Sequence, residues 1–136
     1  MQRKSELLTV FPSWSHLDRQ SMRDFRQAAT LFATPIEICE EIAPRQDWFS
    51  IAQGSIRRSD YVVLILTANS AASAHCQTEV SYATSIGIET LIWIPRLAQT
   101  VPEWARDAER LGEHAIDARQ AVAATLMMLN RPLRRT

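Results

Sequence analysis

The chain predicts an α/β fold, with a parallel sheet of about five strands covered by helices on both faces. Strand-like and helix-like stretches alternate from one end of the chain to the other. The run Tyr61 to Leu66 is apolar without interruption, as a strand covered on both faces must be. The stretch from Asp60 to Pro95 reads strand, loop, helix, strand, which is the repeating unit of such a sheet. One domain over 1–136 is expected, large enough to bury a core, with 131–136 as a frayed tail.

The elements follow in order. Leu7 to Phe11 is the first strand, and Pro12 to Asp18 the loop after it. A helix is expected from Leu17 to Ala33, with Met22, Phe25, Ala29 and Phe32 as its inward stripe and Thr34-Pro35 as its stop. Ile36 to Cys39 alternates apolar and acidic residues and reads as an edge strand. A loop spans 41–47, and Trp48 to Arg58 is the next helix.

Tyr61 to Leu66 is a buried strand and Thr67 to Ala74 a small, polar loop. Ser73 is the expected N-cap of a helix from Ala74 to about Ile86, and Gly87 its C′ residue. Thr90 to Ile94 is a further buried strand ended by Pro95. Beyond it, Trp104, Ala105, Ala108 and Leu111 make a helical stripe between Pro102 and Gly112. A short fifth strand is expected within Glu113 to Asp117, and a last helix from Ala118 to Asn130.

Composition excludes several classes. The formal net charge is zero, so bulk charge points to no nucleic-acid partner. No apolar run has the ~20 residues of a membrane span, and no signal peptide is visible, so a soluble cytoplasmic protein is expected. Cys39 and Cys76 have no CxxC neighbour and read as reduced thiols. There is no HExxH, GxGxxG or P-loop, and His16, His75 and His114 have no metal-ligand spacing. No cofactor is expected. Lys4 is the only lysine beside many arginines, a skew that suits phosphate binding but that a biased genome also produces.

One residue departs from the pattern. On the helix from Ala74, Cys76, Val80, Ala83 and Ile86 form the inward stripe, and Glu79 falls on it. A carboxylate facing a sheet must be paired, hydrated in a pocket or protonated. Either Glu79 serves a site near the carboxyl end of the preceding strand, where open α/β sheets bind ligands, or it is a solvated surface residue on an imperfect stripe. At the first strand's end, Ser13 and Ser15 offer hydroxyls for a ribose or phosphate, and Trp14 a ring for stacking. Against that, Ser15 reads equally well as a helix cap and Trp14 as local packing.

Two segments resemble the signatures of TIR (Toll/interleukin-1 receptor) domains. The first carries Phe11, Ser13, Ser15 and Asp18; the second carries Ser59, Asp60, Val62, Val63, Leu64, Thr67, Asn69, Ser73, Cys76, Glu79 and Val80. The resemblance implies a flavodoxin-like three-layer sandwich. It also implies cleavage of the nicotinamide–ribose bond of NAD+, with Glu79 as catalytic carboxylate and Phe11, Pro12, Ser13, Trp14, Asn69, Ser73, His75 and Cys76 around the substrate. His75 stands where the family usually has Trp. The loop with Pro44, Arg45 and Asp47, followed by Trp48, matches a family loop that mediates self-association. The closest likeness is to bacterial anti-phage proteins of the Thoeris-sensor type, whose cyclic nucleotide product would act on a separate effector. Two other readings stay open: an inactive TIR interaction module, and a nucleoside 2-deoxyribosyltransferase-like enzyme.

Overall fold

The computed structural model describes residues 7–32, 36–40, 47–96 and 99–130. A five-stranded sheet runs through the centre in the order β2-β1-β3-β4-β5, and every pairing in it is parallel. Its strands are β1 (Leu8–Ser13), β2 (Ile36–Ile38), β3 (Tyr61–Ile65), β4 (Thr90–Trp93) and β5 (Glu109–Arg110). The helices are α1 (Arg19–Ala29), α2 (Trp48–Arg57), α3 (Ala68–Ala71), α4 (Ala74–Ser85) and α5 (Ala118–Leu126). This is the flavodoxin-like arrangement, with β1 and β3 side by side where the strand order reverses.

Strand alternation divides the core into two layers. Tyr61, Val63 and Ile65 join Leu8, Val10, Phe25 and Val122 under α1 and α5. Val62, Leu64 and Leu66 join Phe11, Ile56, Cys76 and Val80 under α2 and α4. The apolar run in β3 is therefore two interleaved stripes, one for each layer. At roughly 25 cal/mol per Å² of apolar surface, burying such a strand on both faces is a main source of stability.

Several expectations hold to within a residue or two. α2, β4 and α4 begin where the sequence puts them, and Ser73 caps α4 by accepting from the Cys76 amide at 3.2 Å. Gly87 follows the end of α4 with φ at 80°, a conformation that favours glycine. Among the described residues β2 pairs only with β1, which makes it an edge strand, with Glu37 exposed between Ile36 and Ile38.

Others are corrected. β1 extends through Pro12 to Ser13, in register with Val63 and Leu64. The missing proline amide costs one ladder bond near the strand's end. The first helix begins as a 3-10 turn at His16–Asp18 and stops at Ala29, where Thr30 closes it. The expected loop after β3 contains α3, a single turn held by a capping box between Thr67 and Ser70.

The largest correction lies after Pro102. In place of a helix there is a 3-10 turn at Glu103–Ala105, then β5 at Glu109–Arg110 rather than a strand within 113–117. Trp104, Ala105 and Ala108 pack on the α2/α4 side, whereas Leu111 packs on the α1/α5 side. The chain crosses the sheet edge between them, and the Leu111 amide donates to the Ile92 carbonyl at 2.7 Å. A helix would keep all four residues on one side. The last helix ends at Leu126 and continues as a 3-10 turn over Met127–Asn130. The expected break at Thr34-Pro35, the loop residues Pro44 and Arg45, and the tail 131–136 lie outside the described residues.

Candidate functional site

The site starts from strand parity. Phe11 faces α2 and α4, so Ser13, two residues on, faces them as well. Ser13 is fully buried, and its hydroxyl donates to Glu79 Oε1 at 2.8 Å. Glu79 reaches it from the second turn of α4, at the carboxyl end of β1. The two residues are 66 positions apart in the chain.

Glu79 sits in an unfavourable field. Its carboxyl is pushed up to about 7 from an ordinary 4.5, first by burial and then by the nearby negative charge of Glu40. The Ser13 hydroxyl opposes both by stabilising the ionised form. Glu40 follows β2 and is itself held by Arg26 and by the Trp14 indole N–H, which donates to Glu40 Oε2 at 2.7 Å. Trp14 packs against the α1/α5 core, the layer opposite Ser13. Its ring is thus engaged through Glu40 and not stacked beside Glu79. Glu40 escaped the sequence reading because its charge fitted an edge strand's exposed face.

Cys76 is buried one turn before Glu79, and burial raises its thiol above the ordinary 9.0. Hydrogen bonds to Ser73 and Ser13 offset that only in part. A thiol kept protonated is a poor nucleophile. His75 is exposed, and its ring stacks on Trp48 with centroids 3.9 Å apart and planes 26° apart. Trp48 opens α2, so the stack joins the first turns of two helices. Phe49 and Tyr82 extend this aromatic contact along the α2–α4 seam.

Phe11 and Pro12 are buried in β1. Asn69 and Asp18 belong to a second cluster. Asp18 Oδ1 accepts from Asn69 Nδ2 at 2.9 Å, and Oδ2 from Thr67 Oγ1 at 2.6 Å. Ser15 caps the 3-10 turn, accepting from the Leu17 amide, as the plainer reading had it. Asp60 of the second signature is structural: Oδ2 accepts from the Thr9 amide at 3.0 Å and steadies β1. Asp47 is exposed at the start of α2, without a side-chain capping bond.

Two cavities flank this region. One of about 340 Å³ opens over the carboxyl ends of β3 and β4 and includes Asp18, Thr67 and Asn69. The other, about 470 Å³, lies between α4 and the turn at 103–105, at the amino end of β4. Glu79 lines neither, and the larger volume is far from the strand ends where ligands bind such sheets. Among the described residues, no group of three or more His, Cys, Asp or Glu is placed to hold a metal ion. No helix among them is long and apolar enough to cross a membrane.

A family model described as TIR domain matches residues 10–126. No curated protein sequence matches the chain significantly.

Proposed function

We propose, from the premise that this chain belongs to the TIR domain family, that it cleaves the nicotinamide–ribose bond of NAD+ with Glu79 as its catalytic carboxylate. The observation that carries this reading is the 2.8 Å contact between Ser13 and a Glu79 carboxyl raised to about 7. A half-buried carboxyl with a single hydroxyl donor among the described residues, at the carboxyl end of a central strand, is a functional arrangement more than a stabilising one.

The chemistry asks for little else. Bond cleavage develops positive charge at the ribosyl carbon, as at a glycosidic bond. Nicotinamide leaves a cationic pyridinium as a neutral base, so no general acid is required. Ionised Glu79 offsets the developing charge and accepts from a ribose hydroxyl. Ser13 fixes the orientation of the carboxylate. Attack by water gives ADP-ribose, and attack by a group of the same dinucleotide gives a cyclic isomer. A cyclic product acting on a separate effector, activation by self-association and a role in anti-phage defence of the Thoeris-sensor type complete this reading.

Glu79→Gln tests it. Concentrated parent protein should release nicotinamide from NAD+, and the variant should lose most of that release at matched folded concentration. Full turnover by the variant would overturn the assignment. The second reading, an interaction module without activity, is favoured by the His75–Trp48 stack, which occupies one face of the ring at the family's Trp position. A parent that releases no nicotinamide at any concentration would put that reading first.

A further inference from the structure

We propose that the cavity over the ends of β3 and β4 is a nucleoside-phosphate site, and that it takes the adenylate half of the dinucleotide. The assignment to that half rests on the cleavage reading above. The cavity itself does not.

The cavity holds about 340 Å³, within the range of small-ligand sites. Part of its polar lining is committed, Asp18 to Thr67 and Asn69, and part is not. Ser21 lines it and adds a hydroxyl to its wall. Arg96 lines it at the end of β4, exposed, with no ion pair or hydrogen bond among the described residues. A free guanidinium presents a fork of donors matched to phosphate oxygens.

The rest of the lining excludes a simple anion. Asp18 accepts one bond on each oxygen, from Asn69 and Thr67, and a carboxylate has further acceptor positions. A carboxylate repels free phosphate but suits a ribose diol. Leu17, 67% exposed, and Pro95 supply apolar surface for a base ring. A cation, a ribose acceptor and an apolar wall together describe a nucleoside phosphate.

The cavity also lies within reach of Glu79. Ser13 is in register with Leu64, and the cavity begins two residues further along β3, at Leu66. With strands about 4.8 Å apart and about 3.3 Å per residue, Ser13 and Leu66 are roughly 8 Å apart along the sheet. One dinucleotide bridges that span through its pyrophosphate. Asp18 stands between them, lining the cavity while close enough to Cys76 for its charge to raise that thiol.

The test has a binding arm and a turnover arm. In the first, AMP is titrated into the parent, Glu79→Gln and Arg96→Ala by calorimetry. The parent and Glu79→Gln should bind alike, and Arg96→Ala at least about tenfold more weakly, as loss of one charged contact implies. AMP that fails to bind, or binds Arg96→Ala as well as the parent, overturns the site. In the second arm, Arg96→Ala should lower kcat/KM for NAD+ while leaving nicotinamide mononucleotide, which lacks the adenylate half, unchanged. Equal loss on both substrates, or loss on neither, overturns the adenylate assignment. If the parent cleaves neither substrate, the cleavage reading and the adenylate assignment fall together, and the AMP titration still decides the site.

Discussion

Two carboxylates stand at the carboxyl end of the same sheet, and they are treated differently. Asp18 receives a donor on each oxygen, from Thr67 and Asn69, and clamps the end of β1's loop to the end of β3. Among the described residues Glu79 receives one donor, from Ser13, and it lies near a second negative charge on Glu40. Asp18 has a donor on each oxygen, and those bonds hold structure while acceptor positions remain. Glu79 is held half-buried although its ionised form is penalised, and proteins accept that cost chiefly where the charge is used.

The largest effect expected from this contrast is on turnover. Glu79→Gln should reduce nicotinamide release on the order of 10²-fold or more, the scale of losing one preorganised electrostatic group. Asp18→Asn should leave a measurable rate. Equal losses in the two variants would erase the distinction.

The pH profile sharpens it next. If ionised Glu79 is the working form, kcat/KM for NAD+ should rise with pH through about 7 and then level off. Ser13→Ala removes the donor that favours ionisation, so the inflection should move to higher pH. Glu40→Gln removes the repelling charge, so it should move to lower pH. Shifts in the same direction would break the electrostatic account of Glu79.

Stability gives a smaller but opposed pair. The folded Glu79 carboxyl titrates at about 7, above its ordinary 4.5. Its contribution to the fold is therefore full below pH 4.5 and is lost as pH rises through 7. At pH 8 Glu79→Gln should be the more stable protein, by on the order of 1–3 kcal/mol, and the gap should close toward pH 4.5. Asp18→Ala leaves two donors without their acceptor and should cost about 1–2 kcal/mol at either pH. Thermal melts of the parent and both variants at pH 5 and pH 8 read this directly.

The smallest effect on chemistry is expected at Cys76. Cys76→Ala should cost about 1–2 kcal/mol in packing while changing turnover less than tenfold. A dead Cys76→Ala beside an active Glu79→Gln would transfer the chemistry to the thiol.

The sequence by itself determined the parallel sheet, because Tyr61 to Ile65 is apolar at every position and such a strand must be covered twice. It also determined the frame of α4, since Ser73 and Gly87 punctuate a helix by local rules that need no partner. That frame put Glu79 on the inward stripe. Tertiary structure alone decided what Glu79 meets there: Ser13 comes from 66 positions away, and Glu40 arrives only when β2 pairs with β1. The same limit explains the error after Pro102. Trp104 to Leu111 has helical spacing, but Leu111 belongs to the other core layer, and the unpaired edge of β4 draws the chain into β5. Periodicity reports which residues share a face of one element, whereas contacts across the sheet depend on register and strand order, which no local pattern contains.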